Sequence, residues 1–154
     1  MTAQIHERLI LNGKYTTMAC SPVILKKVGV VTLSNKKLRA EIAAGKTSNL
    51  VGTSVCWRGY IGTWEIKDNI LFLNNLEGRY KLISPTPVFA SWFTGELKIP
   101  KGRMVRYAHG GFHSLYKKEL YIQIEKGKVI GKRIVRHSEI LNLLRRIKMF
   151  LCHL

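Results

Sequence analysis

Acid is what this chain has least of: one aspartate, Asp68, and eight glutamates stand against 26 lysines and arginines in 154 residues. Carboxylates this sparse can pair for acid–base work only through long-range contacts, and Asp68 sits in a turn signal. Cysteine is also scarce. Cys20, Cys56 and Cys152 are odd in number and far apart, which argues against a disulfide framework and for a reducing compartment. The absence of a C-x-x-C pair argues against structural zinc. No apolar run is long enough to span a bilayer. Met1 to Glu7 lacks the basic-then-apolar pattern of a secretory signal, so a cytoplasmic protein is expected. Internal repeats, linkers and low-complexity tracts are missing as well.

What is present is enough apolar mass for a core. Hydrophobic residues make up 46% of the chain, a fraction that implies one folded domain over residues 1–154. The formal net charge is +17, a field that attracts polyanions. The cations are dispersed, with denser spots at Lys26-Lys27, Lys36-Lys37-Arg39, Lys98 to Arg106, Lys117-Lys118, Lys126 to Arg136 and Arg145 to Lys148. Since none is a tail-like block, a binding face has to be assembled by folding.

Periodicity and turn chemistry predict an α+β domain built on a curled, mainly antiparallel sheet. Asn12-Gly13 joins Leu9–Leu11 to Lys14–Met18 as a hairpin. Val28–Leu33 reads as a short strand. Ser34 caps a helix over Asn35–Ala44, ended by Gly45, with Leu38 and Ile42 on one face. The β-rich core covers about 54–136, with strands at Val55–Ile66, Ile70–Asn74, Arg79–Ile83, Glu96–Ile99, Met104–Tyr107, Leu115–Glu125 and Lys128–Arg136. Val88–Phe93 reads as a helical turn, and Pro100 as a strand end. Ile140, Leu143, Leu144, Ile147, Leu151 and Leu154 recur at helical spacing, predicting an amphipathic helix over about 139–152. Docking on the sheet is its default; Arg145, Arg146 and Lys148 beside the leucines also suit a membrane surface.

"SVCWRGYIGTWEI", Ser54 to Ile66, concentrates aromatic mass. As one strand it carries large apolar groups on both faces, so Trp57 and Trp64 are both expected in the core, with Gly59 or Gly62 at a bulge. Arg58 is expected to be stacked or ion-paired, with Glu65 or Glu77 as partner; anion binding by Arg58 is the lesser reading. "CWRGYIGTWEI", "VFASWFTGELKIPKG" and "YAHGGFHSLY" together resemble a group of small bacterial proteins sharing W-R-G-Y-x-x-T-W-x-I, W-F-[ST]-G-x-L-x-I-P-x-G and Y-x-H-x-G-[FY] segments. The resemblance covers roughly Cys56 to Val135. It implies a common β core with the two helices as additions, and it implies no activity.

The glycine-rich loop "HGGFHS" brings His109 and His113 close, as acid–base groups or metal ligands would be. Too few acids surround them for a metal site, and a packed turn is the plainer reading. Gly45-Lys46-Thr47 imitates a phosphate loop, but Ala40 stands where the leading glycine belongs and the helix precedes the loop. No catalytic set, metal site or cofactor is therefore assigned. The expectation is a small basic binding protein for an acidic macromolecule, nucleic acid first. Its candidate contacts are Arg58, Arg103, Arg106, His109, His113, Lys132 and Arg133. An acidic protein partner, as for an immunity or inhibitor protein, is the alternative. An enzyme using His109, His113, Arg58 and a glutamate is the third.

Overall fold

The computed structural model describes residues 2–24, 29–137 and the pair 147–148. Over these the chain runs β1 (Glu7–Leu11), β2 (Lys14–Met18), β3 (Val30–Thr32), α1 (Asn35–Ala43), β4 (Tyr60–Lys67), β5 (Ile70–Gly78), β6 (Tyr80–Leu82), β7 (Val88–Phe89), β8 (Gly95–Arg106), β9 (Leu115–Glu125) and β10 (Lys128–Arg136). The expected helix over 139–152 lies outside the described residues, Ile147 and Lys148 excepted.

Seven strands form one sheet in the order β2-β1-β4-β5-β10-β9-β8, with β7 added to β5; β3 and β6 pair separately. All pairings are antiparallel except β1 with β4. The sheet curls until its ends meet: the Ala19 N–H just past β2 donates to the Lys98 carbonyl of β8 at 2.8 Å. Closure is incomplete elsewhere. β10 meets β5 only at Lys128 opposite Ile70, and beyond that point its outer edge has no strand partner among the described residues.

Three tight turns set the registers. Asn12-Gly13, Asp68-Asn69 and Lys126-Gly127 each place two successive residues at positive φ, the requirement of a type I′ hairpin. Gly127 is needed twice over, because a Cβ there would sit 2.6 Å from the Phe89 ring and 2.7 Å from the Ala90 carbonyl oxygen. Helix α1 starts as expected, with the Ser34 side chain accepting the Lys37 N–H at 3.3 Å. Its Leu38 packs with Val51, Cys56 and Ile61 as a satellite cluster on β4. The main core fills the barrel with Leu9, Met18, Trp64, Leu71, Leu73, Leu97, Ile99, Ile122 and neighbours.

Several expectations need correction. Residues 55–59 form turns, and β4 begins at Tyr60, after Gly59 at φ +74°. The change of facing thus falls before the strand, and Trp57 is 61% exposed whereas Trp64 is 0%. Val88–Phe89 is a short strand on β5, and the expected turn is confined to Ala90–Phe93, where the Phe93 N–H donates to the Ala90 carbonyl at 3.0 Å. Pro100 does not end its strand. β8 runs through it to Arg106 because β8 is the last strand of the order and Pro100 shares the parity of Lys98, whose carbonyl bonds Ala19 and faces away from β9, so the missing N–H breaks no bond of the ladder.

The two tryptophans should therefore separate cleanly in chemical denaturation. Trp64→Ala is expected to cost about 3–5 kcal/mol, and Trp57→Ala no more than about 0.5 kcal/mol. Equal losses would place both rings in the core.

Candidate functional site

Glu7 is the inward-facing polar residue of β1, and its side chain is fully buried. Three donors converge on it. Arg58 Nε donates to Oε1 at 2.6 Å; the Gly62 N–H and Trp64 Nε1 donate to Oε2 at 2.7 and 3.0 Å. Gly62 leaves the room for this approach, since a side chain there would collide with the carboxylate. Burial pushes the Glu7 carboxyl up; Arg58, Trp64 and Gly62 oppose that without cancelling it. Arg58 also donates through Nη2 to the Ile5 carbonyl at 2.9 Å, and its guanidinium lies 5.7 Å from the Tyr60 ring and 5.9 Å from Phe112. Its partner is Glu7, and neither of the two acids expected: Glu77 pairs with Arg8, and Glu65 accepts from Asn74.

Glu119 of β9 is a second buried carboxylate. Burial pushes it up, but His137, Tyr121, the Tyr116 N–H and Lys98 outweigh burial and hold it below the usual range. Tyr121 in turn is pushed up to about 12 by burial and by its bond to Glu119. Lys98 ties this node to the glycine loop by donating to the Phe112 and Ser114 carbonyls at 3.1 and 3.0 Å. His6 lies between the two nodes, within reach of Thr17 and Tyr116 hydroxyls. Burial, then Lys98 and Arg58, lower its pKa. The thiols of Cys20 and Cys56 are both pushed up by burial, Cys20 to about 11, so neither is an activated nucleophile.

Among the described residues, a group of cations without an acid partner lies at one end of the sheet. Lys101 of β8 stands opposite Lys118 of β9, and Lys118 opposite Arg136 of β10. The preceding row on the same face is Ile99, Leu120 and Ile134. The barrel's inner face thus continues past the core as a row of exposed charges. Lys132, opposite Ile122, shares that face and is exposed because β10 has left β5. Ile134 is 61% exposed between Lys132 and Arg136. At the β2–β8 seam a cleft of about 330 Å³ brings Lys101 together with Lys14, Thr16 and Tyr15, and Tyr15 is 80% exposed.

Of the seven residues that the sequence pointed to, only Lys132 lies on the same face as this row. Arg103 and Arg106 are exposed farther along β8. Arg133 faces the other side, paired with Glu96 at 2.9 Å and stacked 4.2 Å over Tyr121. His109 is exposed against the Tyr107 hydroxyl at 3.2 Å, and His113 is exposed beside Gly111. Among the described residues, no three His, Cys, Asp or Glu side chains are grouped to hold a metal, and no helix is long and apolar enough to cross a membrane. Nothing in the sequence singles out Lys14, Tyr15, Lys101, Lys118 or Arg136. The basic clusters around Lys101, Lys118 and Arg136 are visible there, but the cross-strand register that aligns them is not. No protein-family model, curated protein or solved structure matches the chain.

Two outcomes follow from the buried nodes. Arg58→Met should destabilise by about 3–5 kcal/mol by stranding Glu7, and adding Glu7→Gln should restore part of that loss in denaturant melts; strictly additive costs would mean the two are uncoupled. His6 is held neutral in the fold, so the unfolded chain takes up the proton more readily. Stability should therefore fall as pH drops below the ordinary histidine value of 6.5 toward the lowered folded value. Thermal melts across pH should show that component in the wild type and lack it in His6→Gln.

Proposed function

We propose that the protein is a non-enzymatic binder of single-stranded nucleic acid, held along the open basic face of β8, β9 and β10. The observation that carries this reading is the row Lys101–Lys118–Arg136. Like charges directly opposite one another on adjacent strands destabilise a sheet. With strands about 4.8 Å apart, neighbouring charges in the row lie well inside the Debye length of about 8–10 Å at ordinary salt, so solvent ions screen their repulsion only in part. A polyanion bound along the row removes it. Lys14 and Lys132 extend the path, Tyr15 offers a ring for base stacking, and Ile134 adds an apolar contact between cations. Stacking plus phosphate contacts is a sequence-tolerant mode, and no base-reading motif accompanies it.

An acidic protein partner is favoured by a different observation. The outer edge of β10, which has no strand partner among the described residues beyond Lys128, lies beside exposed Ile130 and Ile134 and suits strand addition. The two readings part at Tyr15, which only the nucleic-acid reading uses.

Fluorescence anisotropy with a labelled single-stranded oligonucleotide provides the test. Lys101→Glu, Lys118→Glu and Arg136→Glu combined should weaken binding far more than Lys36→Glu with Lys37→Glu on α1. The triple reversal should also lower the salt slope by about one for each phosphate no longer neutralised. Tyr15→Ala should cost about 1–3 kcal/mol. Equal small effects from both reversals, with binding abolished at physiological salt, would reduce the attraction to a diffuse polycation effect. Retained partner binding in Tyr15→Ala with none to the oligonucleotide would move the reading to an acidic protein.

A further inference from the structure

We propose, building on strand binding along the basic face, that the cleft at the β2–β8 seam holds the end of that strand and recognises it by a terminal phosphomonoester. The cleft has a volume of about 330 Å³ and is lined by Leu11, Asn12, Lys14, Tyr15, Thr16 and Lys101. That is the lower end of the range for small-ligand pockets and suits one terminal nucleotide.

The row of cations stops at this cleft. Followed from the opening between β5 and β10, it runs Arg136, Lys118 and Lys101 on successive strands. Lys14 comes next, across the seam. Lys14 stands opposite Leu11 of β1, two residues from buried Leu9, so it lies on the barrel's inner face with Lys101. Past Lys14 that face carries Leu11 and then, opposite it on β4, buried Ile66, with no cation. The turn that follows β4 carries Asp68, which is exposed. A polyanion laid on the row therefore has cations on one side of the cleft, and apolar surface and an acid on the other.

The cleft also suits more charge than an internal phosphate brings. Lys14 and Lys101 line it from the two strands of the seam, and neither has an acid partner among the described residues. No carboxylate and no histidine lines it. Thr16, on the same face as Lys14, adds a hydroxyl and Asn12 an amide, both able to donate. An internal phosphodiester carries a single negative charge, whereas a terminal phosphomonoester carries about 1.5 to 2 at neutral pH and offers three strong acceptor oxygens. Two lysines with no acid between them match the larger charge. Tyr15, 80% exposed, borders the cleft where the terminal base can stack. Either chemical end of a strand can carry such a group, and the same contacts serve both.

The test uses oligonucleotides of one sequence that carry a 5′-phosphate, a 3′-phosphate or hydroxyls at both ends, each competing with the labelled strand in fluorescence anisotropy. One of the two phosphorylated strands should bind at least about fivefold tighter than the hydroxyl-ended strand. The end that gives the gain fixes the polarity of the bound strand. The gain should shrink as pH falls below about 6, where the monoester takes up a proton and a diester does not. Shifts specific to that phosphorylated strand are expected at the Leu11 and Thr16 methyl groups by NMR. Lys14→Met, at an exposed position, should lower the gain with the melting temperature unchanged, and adding Thr16→Val should bring the ratio to about one. Lys118→Met, outside the cleft, should weaken both strands and leave their ratio. Equal binding of all three strands by the wild type, or an undiminished ratio in Lys14→Met, would overturn the proposal. Strands that respond to the triple reversal but show no phosphate preference would overturn the terminal site alone. Loss of all strand binding at physiological salt would overturn the basic face with it.

Discussion

The carboxylate of Glu7 is fully buried at one end of the barrel, and much of the fold is arranged around keeping it there. A buried carboxylate without donors is expensive, and this one has Arg58, the Gly62 amide and the Trp64 indole. Those three come from one short stretch of chain, whereas Glu7 comes from β1. The polar node therefore fixes how β1 lies against β4, in the parallel register that places Leu9 beside Trp64. It also explains a glycine in the middle of β4 and a tryptophan next to it. Gly62 leaves space for the carboxylate, and Trp64 fills the core with its carbon framework while its one polar atom reaches the acid.

Local chemistry was legible in the sequence. The three hairpin turns, the Ser34 cap and the end of α1 at Gly45 are each decided by two to four adjacent residues, and each is found where those residues place it. The curled sheet, mainly antiparallel, also follows from the spacing of strands and turns. What was not legible is anything decided between distant strands. Arg58 has nearby glutamates in sequence, yet its partner is 51 positions away. Trp57 and Trp64 look equivalent, and only the turn at Gly59 separates them. Pro100 normally marks a strand end, but on the last strand of the order its missing N–H faces away from β9 and β8 continues. The basic face is the same kind of case: Lys101, Lys118 and Arg136 belong to separate dense spots until the register lines them up.

Scarcity of acid shapes the surface as much as the core. Glu7, Glu41, Glu77, Glu96 and Glu119 each pair with a lysine or arginine. Two of these carboxylates are buried, so their negative charge contributes little to the outer field. Among the described residues most of the other cations have no acid partner, and where the sheet opens between β5 and β10 Lys101, Lys118, Lys132 and Arg136 share a face with an exposed isoleucine. The opening is thus both a gap in the barrel and the place where charge and apolar surface meet.

The parallel contact between β1 and β4 has a consequence for how the chain reaches this structure. β1 and β2 can form their hairpin from neighbouring residues at once, but that hairpin has no core until β4 arrives from the far side of α1. The seam between Ala19 and Lys98 has to wait longer still. Closing such loops costs entropy before the contacts repay it, which puts this topology among the slower folders, in the range of milliseconds to seconds. During that interval Leu9 and Met18 are uncovered, and both edges of the hairpin are open to pairing with another chain. The surplus of positive charge, by setting nascent chains against one another, then acts as protection against aggregation while the barrel assembles.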